Sequence, residues 1–108
     1  MEPGYAVVLV TTPSVEIANT IATELVDKNL AACVNILPAI NSIYAWQGNT
    51  VDDQEVMLVI KTRIDLFEDQ LIPAIQGLHP YEVPEIIALP IMAGYKDYLE
   101  WIDKETSG

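Results

Sequence analysis

The chain has 108 residues, 51% of them hydrophobic, and a net charge of −11 from 5 basic and 16 acidic side chains. That length holds one modest core, and the apolar content excludes a disordered chain. The longest apolar runs fall far short of the ~18 residues a membrane span needs. Lys28, Lys61, Arg63, Lys96 and Lys104 are scattered rather than clustered on phosphate-binding spacing, so neither membrane nor nucleic acid is an expected partner.

The start, Met1-Glu2-Pro3-Gly4, carries an acid and no basic cluster, unlike a signal peptide. Cys33 is the only cysteine, so no intrachain disulfide forms, which fits a reducing compartment. A cytoplasmic protein is the expectation. The acidic surplus either attracts cations or maintains solubility.

Tyr5 to Thr11 is an apolar, β-branched run that reads as a strand buried on both faces. Thr12-Pro13-Ser14 punctuates it, with Thr12 or Ser14 as N-cap of a helix. Ile17, Ala18, Ile21, Ala22, Leu25 and Val26 then recur at helical spacing, and Asn29 is a candidate left-handed cap. Ala31 to Leu37 reads as a second strand. Pro38 marks an edge, bulge or bend, after which extended chain resumes from Ile40 to Trp46. Gln47 to Thr50 is turn chemistry, extended by Asp52-Asp53. Glu55 to Thr62 is a third strand in a hairpin with the second.

A second helix starts near Ile64 and buries Leu66, Phe67, Leu71, Ile72 and Ile75; Pro73 kinks or splits it, and Gly77 ends it. His79-Pro80-Tyr81-Glu82-Val83-Pro84 is a stiff loop. Glu85 to Leu89 is a fourth strand, stopped by Pro90, and a short amphipathic helix follows Gly94. The whole of 1–108 is one domain, with 1–4 and 105–108 expected to be mobile. The order β-α-β-β-α-β places both main helices on one sheet face. The first and third strands are nevertheless apolar on both faces, so self-association is the simplest cover for the second face.

Among residues with chemistry, alternation puts Tyr44 and Trp46 on one face of their strand, and Glu55 with Lys61 on one face of the next. If the register aligns those faces, aromatics and an ion pair line one surface, which Tyr81 and Trp101 complete. The plainer reading is an aromatic patch sealed in a subunit interface. His79 is the only histidine. It is either a loop-stabilising hydrogen-bond partner or a metal ligand helped by Glu85, Glu82 or Cys33. Cys33 on an apolar strand reads as packing before it reads as a reactive thiol. No phosphate loop or nucleophile elbow occurs, and no catalytic residue is expected.

Five stretches together resemble the CutA divalent-cation tolerance family: Leu30 to Ile36, Ser42-Ile43-Tyr44-Ala45-Trp46-Gln47-Gly48, Ile60-Lys61-Thr62-Arg63, His79 to Ile91, and Tyr98-Leu99-Glu100-Trp101-Ile102. The resemblance implies an α+β, ferredoxin-like βαββαβ sandwich with a short C-terminal helix, assembled as a homotrimer. It also implies a link to copper tolerance and binding of divalent metal ions, copper above all, and no turnover is expected. The architecture is similar to that of PII signalling trimers, which hold small effectors in clefts between subunits. A scaffold or anchoring trimer is a further alternative. Some metal-binding members carry cysteine where this chain has Val10 and histidine where it has Leu78, so only His79 of that ligand set is present. The metal expectation is therefore a weak copper(II) or other divalent site of His79, Glu85 and Cys33. The cleft expectation is Tyr44, Trp46, Glu55, Lys61, Tyr81 and Trp101.

Overall fold

A computed structural model describes residues 4–107. The elements run β1 (Tyr5–Thr12), α1 (Val15–Asp27), β2 (Cys33–Trp46), β3 (Asn49–Arg63), an irregular helix α2 (64–76), β4 (Ile86–Pro90) and α3 (Lys96–Glu105). The strands form one sheet in the order β2-β3-β1-β4, with every neighbouring pair antiparallel. Each crossover leaves room for one strand between its parallel partners, so this is the α+β, ferredoxin-like arrangement.

Local chemistry accounts for the boundaries. Ser14, not Thr12, caps α1, accepting from the Ile17 N–H at 3.2 Å. Thr12 instead donates to the Ser14 carbonyl at 3.0 Å. Asn29 takes φ 59°, the left-handed conformation that closes a helix. Within α2 a 3₁₀ turn (Ile64–Leu66) leads to a π turn (Phe67–Leu71) and then an α-helical turn (Ile72–Gln76). Pro73 supplies no N–H and its ring crowds the preceding turn, so the backbone widens to i→i−5 bonding just before it, with Ile72 N–H donating to Phe67.

The core lies between one sheet face and α1 with α2. Ala6, Val8 and Val10 of β1 and Leu58 and Ile60 of β3 meet Ile21 and Leu25 of α1 and Leu71 and Ile75 of α2, all of them buried. Both helices thus cover the same face. On the opposite face Ile87 and Leu89 keep 48% of their surface exposed, and Leu37 keeps 42%. The expected surplus of uncovered apolar sheet is present in the single chain.

β2 and β3 are longer than the sheet they belong to. The last β1 partner on β3 is Val56, so Ile40–Trp46 and Asn49–Glu55 pair only with each other. This two-stranded arm gives the molecule its long axis, 44 Å against 26 and 24 Å. Pro38 falls in a register shift between Leu37 and Ile40, where a missing N–H breaks no ladder bond. The turn is tighter than expected. Trp46 pairs with Asn49 directly, and Gln47 and Gly48 both take positive φ, 50° and 81°. That is the two-residue hairpin turn whose twist matches the strands, so β3 begins at Asn49 and not at Glu55.

Of the ends expected to be mobile, residues 1–3 and 108 lie outside the described residues. The described portions make hydrogen bonds to the rest of the chain. The Gly4 carbonyl accepts from the Ile64 N–H at 2.9 Å. The Glu105 carbonyl accepts from Asn29 Nδ2 at 3.0 Å, and buried Thr106 takes Arg63 Nε at 3.0 Å.

Candidate functional site

An open cleft of about 770 Å³ lies where the arm leaves the body, between the arm and the loop 80–85. Tyr44, Trp46 and Glu55 line it from the arm, and Tyr81, Glu82 and Glu85 from the loop. Opposite residues of an antiparallel pair share a face, so Ser42–Asp53 and Tyr44–Val51 stand on the same side as Ile40–Glu55. Tyr44 donates its hydroxyl proton to Asp53 Oδ2 at 2.6 Å. That bond, then burial and the Asp53 charge, push the Tyr44 pKa up.

The loop is positioned by His79. Its Nε2 lies 2.7 Å from the Thr11 carbonyl oxygen at the end of β1, and its Nδ1 accepts from the Tyr81 N–H at 3.1 Å. A carbonyl can only accept and an amide N–H can only donate. The ring is therefore neutral imidazole with its proton on Nε2, and both nitrogens are engaged. The Tyr81 ring leans on the imidazole with centroids 4.8 Å apart. Its hydroxyl donates to Glu55 Oε2 at 2.8 Å, tying the loop to the arm across 26 residues of sequence. Burial first, and then that bond to Glu55, push the Tyr81 pKa well above the usual phenol value.

Four of the six residues anticipated for the cleft are thus brought together in the chain. Tyr44, Trp46, Glu55 and Tyr81 come together; Lys61 and Trp101 do not. Glu55 and Lys61 do share a strand face, but six residues apart on one strand is about 20 Å. Lys61 sits opposite Cys33 and donates to Asn35 Oδ1, so the expected Glu55–Lys61 ion pair is absent. Trp101 lies on α3 against Tyr98, with ring centroids 5.5 Å apart. Burial first, and then the neighbouring Cys33 thiol, push the Tyr98 pKa up.

The anticipated metal set is likewise dispersed. Cys33 stands at the Lys61 end of the sheet, while His79 bonds to Thr11, whose β3 partner is Met57. Among the described residues no three of His, Cys, Asp and Glu are grouped to hold an ion. A metal on His79 would have to displace the Tyr81 N–H or the Thr11 carbonyl. The residues present do not fit a His79-centred site. Sequence reasoning missed the Tyr81–Glu55 link, since no local pattern connects a loop tyrosine to a strand acid. It also missed the apolar rim formed by exposed Ile43 and Val83.

The comparisons with known proteins agree with this architecture. The family model described as CutA1 divalent ion tolerance protein matches residues 6–105. The divalent-cation tolerance protein CutA of Thermus thermophilus is 53% identical over 100 residues, covering 93% of this chain and 96% of that one. A solved structure of the divalent cation tolerance protein from Thermus thermophilus superposes with a TM-score of 0.91 at 52% identity, covering 94% of this chain and 98% of that one. The chloroplastic CutA protein of Arabidopsis thaliana is 47% identical over 93% of this chain, which spans 54% of the plant protein's length. No helix among the described residues is long and apolar enough to cross a membrane. On the strength of the model match and the Thermus relative, the chain belongs to the CutA1 divalent ion tolerance protein family.

Proposed function

We propose that the chain acts without turnover in divalent-cation tolerance, as a cytoplasmic homotrimer that binds divalent ions, copper among them, weakly. The observation that carries the assembly is the sheet face opposite the helices, where Leu37, Ile87 and Leu89 stand exposed in the single chain. Obligate interfaces bury ~2,000 Å² or more, and this face together with the arm offers apolar surface of that kind. Weak binding follows from the donors. Both His79 nitrogens are engaged, Val10 and Leu78 offer no donor atom, and carboxylates such as Glu82 and Glu85 remain. Carboxylates without imidazole or thiolate hold copper loosely.

Calorimetric titration of chelator-stripped protein with copper(II) tests the metal half of the reading. Low-affinity heat that persists in His79→Asn and falls in Glu82→Gln/Glu85→Gln supports it; tight binding abolished by His79→Asn overturns the carboxylate assignment. Light scattering tests the assembly, and a folded monomer at micromolar concentration removes it. A PII-like sensor of small effectors is the second reading, favoured by the cleft itself: its volume exceeds what an ion needs, and one wall is an arm that extends beyond its own body.

A further inference from the structure

We propose that the cleft at the root of the arm binds a linear aliphatic amine in its protonated form, with the ammonium head on Glu55 and the carbon chain along Trp46. The charge of the walls sets the sign of the ligand. Among the described residues of the chain no Lys or Arg lines the cleft, while Glu55, Glu82 and Glu85 do. With Lys61 bonded to Asn35 instead, nothing in the lining favours an anion.

The aromatic content points to an organic cation. Tyr44, Trp46 and Tyr81 bring three aromatic side chains to one space, and a cation over an aromatic face gains ~0.5–2 kcal/mol. A bare divalent ion gains more from oxygen ligands, of which calcium takes six or more. Among the described residues no group of three acids, histidines or cysteines offers them. The volume, about 770 Å³, suits a molecule and not an ion.

Glu55 decides for an ammonium bearing N–H groups. Only 7% of its surface is exposed, and its Oε2 takes the Tyr81 hydroxyl. Its Oε1 has no hydrogen-bond partner among the described residues. Yet no side-chain oxygen sealed from solvent lacks a partner there, so Oε1 reaches solvent, and Glu55 is among the residues that line the cleft. A carboxylate with one oxygen held and the other open accepts a charge-assisted N–H bond without reorganising. At the mouth Ile43 and Val83 keep 71% and 69% of their surface exposed, an apolar rim for methylene groups. Glu82 and Glu85 stand beside it to receive a second charge.

The inference goes beyond metal tolerance, and its test is run in chelator so that the two fail separately. The full chain carries Trp101→Phe, which leaves Trp46 as its only tryptophan. Butylamine and 1,4-diaminobutane are titrated against Trp46 fluorescence, with 1-butanol and tetramethylammonium as comparators. Both amines give a saturable change and the diamine binds more tightly; butanol and tetramethylammonium bind at least about tenfold more weakly. Glu55→Gln, which keeps an acceptor for Tyr81, weakens the amines about tenfold or more. Glu82→Gln/Glu85→Gln, exposed positions that leave folding untouched, weakens the diamine about two- to fivefold. A change that does not saturate, equal binding of butanol, or undiminished amine affinity in either variant overturns the proposal.

Discussion

The body of the sheet and its arm use the same two strands under opposite conditions. From Met57 to Lys61, β3 has β1 on one side and β2 on the other, and every second residue is buried under a helix. From Asn49 to Gln54 it has only β2, and none of its residues is buried. A lone two-stranded hairpin is marginal in water. The arm nevertheless carries Ile43, Tyr44 and Trp46 at its surface, an arrangement that solubility alone does not favour. The body is stabilised from within the chain. The arm is shaped for something outside it, either a neighbouring subunit or a ligand in the cleft it overhangs.

The largest effect that sharpens this contrast belongs to the body. Leu58 is fully buried at the centre of the core, so Leu58→Ala should cost about 2–5 kcal/mol. Denaturant melts of parent and mutant check it. If assembly rests on the arm and the open face, the mutant's light-scattering mass stays that of the parent while folded. The arm should behave the other way. Trp46→Ala removes an aromatic that is 43% exposed in the single chain, so little intrachain burial is lost. As an interface anchor it should cost about 2 kcal/mol or more, read as dissociation on dilution. An unchanged subunit equilibrium in Trp46→Ala would end the contrast between the two regions.

A smaller effect tests the link that joins them. Tyr81 holds Glu55 of the arm root while His79 holds the loop to β1. Tyr81→Phe leaves a buried carboxylate short of a partner and should cost about 1.5 kcal/mol. The pH dependence has a definite sign. The folded-state pKa of Tyr81 lies above its unfolded value, so its contribution is complete below about pH 10 and is lost as the pH rises further. Parent and Tyr81→Phe stabilities should therefore converge between about pH 10 and 12, measured by urea melts. A gap that widens with alkalinity would show that the hydroxyl is not held protonated by Glu55.

The contrast also explains what was legible in the amino-acid sequence. In the body, period and burial coincide: Val56, Leu58 and Ile60 alternate with Met57 and Val59, and the strand, its buried face and the uncovered opposite face all follow. In the arm Asp52 and Asp53 are poor strand formers, and they read as turn. Their strand geometry comes from pairing with β2 beyond a positive-φ turn, a cause that lies in another segment. The site divides likewise. Alternation put Glu55 and Lys61 on one face correctly, but a shared face says nothing of distance along it. His79 as a loop-stabilising hydrogen-bond partner was one of the two readings open in the sequence, and its bonds to Thr11 and Tyr81 place it there. The tie from Tyr81 to Glu55 needs the tertiary fold.

The smallest effect bears on whether the arm is stabilised locally at all. Gln47 holds φ 50° beside Gly48, in a turn that asks for positive φ at both central positions. A left-handed residue with an ordinary side chain costs roughly 1–2 kcal/mol, and asparagine tolerates that region better than glutamine. Gln47→Asn should therefore stabilise the hairpin, by up to about 1 kcal/mol. Amide hydrogen exchange distinguishes where the gain appears. If the arm opens independently of the body, protection rises for amides of 40–55 alone, while those of Leu58 and Ile60 exchange as before. If neighbouring subunits hold the arm, its amides open only with dissociation, and the gain spreads to the unfolding of the whole assembly. An arm whose exchange is already as slow as the core's, and which gains nothing from asparagine, would mean that the turn is fixed by its surroundings and that its own conformational cost decides nothing.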